Sequence, residues 1–397
     1  MSDRSRESNS ESGLLGEANQ ILLIVSGGNF VFHLGILVLP LLLPTIIADI
    51  GISSAMGGIS LTFLTGAMAL FKYPGGRFAD RLSPKTVLVV SLSFLIGGYV
   101  FLLVTTTYAT FLVGVILLGV GFGAFVPAAY LRLSECFDRH RGRAFGVTSA
   151  TGNLAGILAS GVAVAVLAVG GWRLVFLPLI ALSVVVFVVT HYRIGGEYRF
   201  EYASVGYVDT VRKIVSNKRI LKIVVVASLA AFVWTGAINF LPTLLESERG
   251  LSSRTTSVAY ATVFLTGVFG APLSGAVGDR AGNLVTAAAL VGSTIVGLVV
   301  IVFSPRIELI FLGVVLFAVG LTSIWPVLNS YMLSNFPENS KGGDFGAVSA
   351  MYMVLGSLGP SFVGITSQYS SFTSAYTGLV AGLVLCFLFL LWMIATD

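Results

Sequence analysis

Charge is scarce in this chain of 397 residues, because only 10 % of the residues are Asp, Glu, Lys or Arg while 56 % are hydrophobic. Water-soluble domains carry about 25 % charged residues. A soluble fold of this length would therefore lack the polar surface that it needs, and the composition indicates a membrane protein. The net charge of +5 does not indicate a nucleic-acid partner, since the basic residues cluster in short segments between apolar runs.

Cysteines and catalytic motifs are also rare. The two cysteines, Cys136 and Cys386, stand in or beside separate apolar segments and lack the spacing of a metal site. The sequence has no Gly-x-x-x-x-Gly-Lys-Ser/Thr phosphate loop and no His-Glu-x-x-His motif. We therefore expect no metal, no cofactor, no ATP-driven pump and no enzyme.

Long apolar segments fill most of the chain. A helix crosses a bilayer with about 20 mostly apolar residues, and open sheets cannot span lipid. Twelve segments meet this length, at 21–47, 55–76, 85–106, 109–134, 143–169, 173–194, 220–245, 255–277, 284–304, 307–333, 343–367 and 372–395. We predict an all-α membrane protein in which each of these segments is a transmembrane helix.

Polar stretches divide these spans into units. Residues 1–19 are rich in Ser, Glu and Arg, which is typical of a disordered tail. Residues 196–219 form the longest hydrophilic stretch and separate six spans from six. We therefore expect two six-helix bundles, at 20–195 and 220–397, joined by a cytoplasmic linker.

The distribution of Lys and Arg predicts the orientation. An even number of spans places both termini on one side of the membrane. That side then holds 18 basic residues and the other side holds 4. Because cytoplasmic loops carry the excess of Lys and Arg, we expect a multi-pass protein of the cytoplasmic membrane with both termini in the cytoplasm.

A short phrase occurs twice in the chain. The sequence GRFADR at 76–81 recurs as GAVGDR at 275–280, 199 residues later, and each copy lies between two predicted spans. A second match relates 142–156 to 342–356 with an offset of 200. Repeats at one constant offset predict two pseudo-symmetric copies of one helical unit.

These motifs resemble those of the major facilitator superfamily. Its signature between helices 2 and 3 runs Gly-x-Leu-Ala-Asp-Arg-x-Gly-Arg-Lys, and residues 76–85 match it except at Ser83 and Pro84. The sequence RGRAFG at 141–146 is similar to the motif before helix 5, and GWR at 171–173 to a common start of helix 6. The resemblance implies a secondary transporter that works by alternating access, moves a small-molecule solute and acts as a monomer in the lipid bilayer.

The resemblance also implies a cytoplasmic gate. Asp80 and Arg81 would latch the two halves together in the outward-open state, and Gly76 would allow a close backbone approach. A simple topology anchor is the alternative, and Arg132 and Glu135 could form only a local pair. The predicted gate residues are Gly76, Asp80, Arg81, Lys85, Arg132, Glu135, Arg141, Gly275, Asp279 and Arg280.

Polar side chains at membrane depth are functional by default. His33, near the middle of the first span, could carry a proton or bind a substrate, or could be a neutral imidazole that a neighbouring helix satisfies. Lys72 could attract an anion or extend to the membrane interface. The predicted substrate-binding or coupling residues are Asn29, His33, Lys72, Asn153, Trp234, Asn239, Trp325 and Asn329.

The nature of the solute stays open at this stage. Transport of a small organic solute with proton coupling through His33 leads, while facilitated diffusion, an anion porter and a transporter-derived sensor are alternatives. The sequences KYP at 72–74 and GN at 152–153 are similar to those of nitrate porters, which also need an arginine on helix 8. Ala271 stands at that position here, so nitrate ranks below an organic solute.

Overall fold

The computed structural model describes residues 2–137, 141–198, 218–334 and 341–396. Helices follow one another along the described parts of the chain. They are α1 (Ser2–Ile50), α2 (Ser54–Arg81), α3 (Pro84–Leu103), α4 (Tyr108–Cys136), α5 (Arg141–Val169), a 3-10 turn (Trp172–Val175), α6 (Phe176–Arg193), α7 (Lys218–Ser247), α8 (Ser253–Ala281), α9 (Asn283–Phe303), α10 (Ile307–Ser334), α11 (Lys341–Gly356), α12 (Gly359–Tyr369) and α13 (Phe372–Thr396).

Within the described ranges, twelve helical segments are long and apolar enough to cross a membrane. Each of them overlaps one of the twelve segments predicted from the sequence, so the all-α membrane fold is confirmed. One span, Gly346–Tyr369, is discontinuous because it is built from α11 and α12. The helical path is interrupted there, at 357–358.

The N-terminal segment differs from the expectation of a disordered tail at 1–19. Helix α1 begins at Ser2 and continues without a break into the first span. This segment has no proline, and its Glu, Arg and Leu residues have good helix propensity, which allows the helix to extend. The linker predicted at 196–219 stays a prediction, since 199–217 lie outside the described residues.

The chain folds into two halves, α1–α6 and α7–α13, each with its own tightly packed helices. In the first half, α2 and α3 pack on α4, and in the second half, α8 and α9 pack on α10. Gly75 makes the close approach between α2 and α4, because a Cβ atom there would lie 2.5 Å from Cα of Ala124. Gly76, which was expected to do this, would meet Pro127 only at an ordinary 3.5 Å. The expectation was wrong by one residue. Successive residues on a helix point in directions about 100° apart, so Gly75 and not Gly76 faces α4.

The two ends of the bundle differ. We call the end at which α2 and α8 terminate, with Arg81 and Arg280, the basic end, and the other end the closed end. At the closed end the halves contact one another through α2 on α12 and through α5 on α8. A Cβ atom on Gly58 would overlap the carbonyl oxygen of Pro360, and one on Gly364 would lie 2.5 Å from the carbonyl oxygen of Ser54.

Hydrogen bonds join the halves at the same interface. Ser361 Oγ donates to Thr62 Oγ1 at 2.8 Å, and the Ala55 amide donates to Gln368 Oε1 at 3.3 Å. Farther along α5, a Cβ atom on Gly156 would lie 2.5 Å from the Phe264 ring. The closed end is therefore sealed by glycine contacts and neutral hydrogen bonds.

A further repeat appears at the closed end. The turns DIGISS at 49–54 and ERGLSS at 248–253 are 199 residues apart, and their glycines, Gly51 and Gly250, share a φ of +66°. Only glycine adopts this left-handed conformation at little cost. Ser53 and Ser252 cap the helices that follow. The internal symmetry thus extends to the turn between the first and second helices of each half.

The acidic residue of each turn binds the start of a later helix in its own half. Asp49 Oδ2 accepts a hydrogen bond from Trp172 Nε1 at 3.1 Å and pairs with Arg173 Nη1 at 2.7 Å. Glu248 accepts hydrogen bonds from the Phe372 amide and from the Thr373 amide, the latter at 2.8 Å. The partners are again 200 residues apart. Both halves therefore carry this contact of an acidic residue with the start of a later helix, which we call a clasp, although Asp49 binds side chains and Glu248 binds backbone amides.

Candidate functional site

Two adjoining cavities lie between the halves. The upper cavity, of about 360 Å³, reaches toward the closed end as far as Pro40 and Tyr260. The lower cavity, of about 540 Å³, reaches toward the basic end as far as Lys72, Tyr130 and Asn329. Both are lined by His33, Met68, Phe122, Ser149, Asn153, Trp325 and Met353. Because the cavities share these walls, we treat them as one central site.

All eight residues predicted to bind substrate or to couple transport line this site. His33, Asn153 and Trp325 line both cavities. Trp234 and Asn239 line the upper cavity only, and Asn29, Lys72 and Asn329 line the lower cavity only. Residues from both halves are therefore brought together, and their roles in binding remain a prediction.

His33 is held in a defined orientation. Its ring meets Phe122 edge to face, with 4.7 Å between the centroids, and its Nδ1 lies 2.9 Å from the carbonyl oxygen of Asn29. A carbonyl oxygen can only accept, so Nδ1 carries the hydrogen and Nε2 is left as the acceptor of the neutral ring. A Cβ atom on Gly152 would lie 3.1 Å from Nε2. The absence of a side chain at 152 thus makes room for the imidazole.

Asn29 has a structural role that the sequence did not predict. Its Nδ2 donates to the carbonyl oxygen of Thr148 at 2.8 Å and to Thr151 Oγ1 at 3.2 Å. Ser26, one turn earlier, contacts Thr148 Oγ1 at 3.2 Å. The shared face of α1 therefore ties this helix to α5. The Asn29 amide hydrogens are bound to α5 and are not presented to a solute.

Lys72 projects across the boundary between the halves. Its Nζ lies 3.5 Å from Sδ of Met353 on α11. Among the residues that the structure describes, no Asp or Glu lines either cavity, and Lys72 is the one Lys or Arg that does. A thioether is a weak acceptor. An ammonium group in such surroundings is stabilised by an anion that enters the cavity.

The second half supplies an aromatic wall. Trp325 on α10 stacks on Tyr352 on α11 with 5.4 Å between centroids and an interplanar angle of 21°. Tyr352 was not predicted, because a tyrosine in an apolar run carries no signal of what its helix faces. Asn239 donates to the carbonyl oxygen of Thr235 within α7, and Thr235 donates to the carbonyl oxygen of Gly356, where α11 ends.

Four of the predicted gate residues lie at the basic end, where α2 and α8 terminate. Asp80, Arg81, Asp279 and Arg280 are exposed, and no ion pair joins them to other side chains in the described part of the chain. The contacts between the halves that the structure describes thus lie at the closed end and beside the cavity. Among the described residues no ion pair forms the latch expected from Asp80, and its role as a latch stays a prediction.

Where the structure describes their side chains, the remaining gate residues contact groups of the first half or meet nothing within 4 Å. Arg132 Nη1 pairs with Glu135 Oε2 at 2.9 Å, three residues on, which is the local pair that was an alternative. Lys85 Nζ lies 5.1 Å from the centroid of the Tyr198 ring. Gly275 would meet nothing within 4 Å, and the side chain of Arg141 lies outside the described residues.

Comparison with known proteins identifies the family. The sequence profile of the Major Facilitator Superfamily matches residues 25–360 and, in a second match, residues 223–397. The cis,cis-muconate transport protein of Acinetobacter baylyi is 24 % identical over 362 residues, which are 87 % of this chain and 86 % of that protein. A probable sulfoacetate transporter of Cupriavidus necator is 25 % identical over 260 residues, 60 % of this chain and 59 % of that protein.

A solved structure shares the whole fold. It is a bacterial homologue of the human lysosomal transporter Spinster in an inward-facing, occupied conformation. The two structures superpose with a TM-score of 0.76 at 17 % identity, over 96 % of each chain. Twelve spans, a repeated half, a central cavity and a matching profile lead to one conclusion: this chain belongs to the major facilitator superfamily and is a multi-pass membrane transporter.

Proposed function

We propose that this transporter is a proton symporter of small organic anions, which it moves by alternating access through the central cavity. The observation that carries the proposal is Lys72, whose ammonium group lines a cavity without a described carboxylate. The relatives support it, since muconate and sulfoacetate are organic anions. Ala271, in place of the arginine of nitrate porters, favours an organic anion over nitrate.

His33 supplies a coupling mechanism. His33 and Lys72 both line the lower cavity, so an imidazolium and an ammonium group repel each other there when no anion is bound. The groups packed around the ring, from Phe122 and Gly152, carry no charge. A bound anion stabilises the imidazolium, and protonation in turn favours anion binding, because such coupling is reciprocal. Facilitated diffusion is the alternative, in which His33 stays neutral.

The conformation fits one half of an alternating-access cycle. The halves are in contact at the closed end, and no ion pair of the described residues joins them at the basic end. We propose that the basic end is cytoplasmic, because the excess of Lys and Arg lies on that side. The conformation is then inward-facing, in the cytoplasmic membrane. An inward-facing relative of the same fold supports this assignment.

Replacing His33 with Gln is expected to abolish proton-driven accumulation while leaving exchange of the anion intact. Glutamine keeps a hydrogen-bond donor near the Asn29 carbonyl oxygen but cannot carry the proton. In proteoliposomes with an acidic exterior, the native protein should accumulate labelled anion by about tenfold per pH unit, since one unit is worth about 1.4 kcal/mol. The variant should only equilibrate the anion.

The matched control is His191→Gln, which removes an imidazole that bonds to the Tyr198 hydroxyl outside the cavity. It should retain accumulation. If His33→Gln accumulates the anion as the native protein does, the coupling mechanism is wrong and the transporter is coupled elsewhere or is a facilitator.

Replacing Gly152 with Ala is expected to impair the same step. The added methyl group would lie 3.1 to 3.2 Å from three atoms of the His33 ring, which must shift away from Phe122 or from the Asn29 carbonyl oxygen. Overpacking of this kind costs about 1–3 kcal/mol. We expect proton-driven uptake to fall by about 5- to 150-fold on that scale, measured as initial rates over a series of external pH values.

Gly146→Ala on the same helix is the control, because a Cβ atom there would meet nothing within 4 Å. Equal rates and pH profiles for the two variants would show that the contact between Gly152 and His33 has no part in transport.

A further inference from the structure

We propose that the transported anion has a flat, unsaturated body, which the transporter recognises through an aromatic wall from each half. The proposal rests on the proposed function, since it names the class of organic anion that the central cavity binds. It concerns the shape of the solute and is independent of whether the solute carries one carboxylate or two.

The first wall is the stacked pair of Trp325 and Tyr352. Tyr352 covers one face of the indole, with 5.4 Å between the centroids. Trp325 is nevertheless only half-buried and lines both cavities, so part of its surface is open to a solute. Offset stacking on such a surface favours a planar π system over a saturated chain of equal size.

The second wall comes from the first half. Phe122 meets the His33 ring edge to face at 4.7 Å, and both residues line the upper and the lower cavity. Behind it, Phe32 packs against Phe122 with 5.3 Å between centroids. This support holds the Phe122 ring in place. A solute in the shared part of the two cavities therefore lies between aromatic groups of α1 and α4 on one side and of α10 and α11 on the other.

The cationic anchor and the aromatic wall share a cavity. Lys72 and Trp325 both line the lower cavity, and Lys72 Nζ contacts Sδ of Met353, which lines both cavities. A carboxylate paired with Lys72 thus places the body of the solute near Trp325. Aromatic and conjugated carboxylates have this geometry, because the carboxylate is attached directly to the flat system.

Apolar side chains adjoin the aromatic groups in the shared part of the two cavities. Met68 and Met353 line both cavities together with Phe122 and Trp325. A flat hydrocarbon body loses little hydration there and gains apolar contact with these side chains.

Pairs of anions that differ only in flatness test the proposal. We would measure uptake of benzoate against cyclohexanecarboxylate, and of cis,cis-muconate against adipate, in proteoliposomes of the full-length protein. Each pair keeps the number of carbons and the charge. We expect the flat member to have a half-saturation concentration about 2- to 10-fold lower, which corresponds to one aromatic contact.

Variants assign the preference to the wall. Trp325→Leu should remove the difference within each pair, and Trp325→Phe should keep most of it. Trp392→Leu is the control, because Trp392 lies on the outer surface of α13 with 47 % of its area exposed and contacts Lys222. It should leave the preference unchanged.

Two failures can be told apart. If flat and saturated members are taken up equally and both uptakes depend on Lys72, the inference is overturned and the proposed function stands. The same holds if Trp325→Leu keeps the preference. If none of the four anions shows uptake that depends on Lys72, both the inference and the proposed function are overturned.

Discussion

Replacing Lys72 with Met should reduce anion uptake by at least about 30-fold, with little change in the amount of folded protein in the membrane. Methionine fills a similar volume and remains compatible with the Met353 thioether, which Lys72 Nζ approaches to 3.5 Å. The variant leaves a bound carboxylate without its positive partner. Removing one member of a buried charge pair costs about 2–5 kcal/mol, and the lower limit corresponds to the stated factor.

Initial rates of labelled anion uptake in proteoliposomes measure this effect. Lys72→Arg should retain part of the rate, because it keeps the charge but changes its reach and geometry. Lys222→Met is the matched control, since Lys222 lies over the Trp392 ring at 4.5 Å and away from the cavity. Native rates of anion uptake by the Lys72→Met transporter would show that Lys72 is not the positive partner of the bound anion.

Replacing Gly58 with Val should trap the transporter in the conformation that is open at the opposite side. In the present conformation, a Cβ atom on Gly58 would overlap the Pro360 carbonyl oxygen. The backbone cannot move aside as a flexible side chain would, so the closed end cannot form its native contact. Overpacking of this interface costs the present conformation about 1–3 kcal/mol. The equilibrium between the two conformations then shifts by about 5- to 150-fold toward the one that is open at the closed end.

Accessibility to a membrane-impermeant maleimide reports this shift. A cysteine introduced at Thr62, in a background in which Cys136 and Cys386 are serine, lies in the closed interface next to Ser361. Labelling from the outside should be slow in the native background and fast with Gly58→Val, and steady-state uptake should be nearly lost.

Gly161→Val serves as the control for this substitution. It also places a branched residue in a helix, but its Cβ atom would meet nothing within 4 Å. If the two valine variants label at the same rate, the contact of α2 with α12 does not determine which conformation is populated.

The sequence predicted the fold well because few kinds of protein structure can cross a bilayer. Apolar length alone located twelve spans, since each must cross the same thickness of hydrocarbon. The phrase repeated at 76–81 and 275–280 then indicated two matching halves. Polar residues at membrane depth were also informative. Lys72 and His33 are costly in lipid, and the structure places both on the cavity wall.

The details that the sequence did not predict depend on helix rotation and on pairing between distant segments. Gly75 rather than Gly76 faces α4. The two neighbouring glycines point in different directions, and the sequence does not give the rotation of the helix. Asn29 carries the same polar signal as His33, yet its amide bonds to α5. The sequence did not predict the repeated clasps, because Asp49 binds Arg173 while the equivalent Glu248 binds backbone amides.

These clasps affect the energetics of the whole cycle. Asp49 pairs with Arg173, and Glu248 accepts hydrogen bonds from backbone amides, each within its own half. The contacts between the halves at the closed end, as far as the structure describes them, are glycine packing and neutral hydrogen bonds. Opening this end therefore separates no ion pair that the structure describes. The barrier to opening is then set by dispersion contacts and a few hydrogen bonds, which ionic strength barely alters. A transporter built in this way can open its closed end at similar rates at low and at high salt concentration.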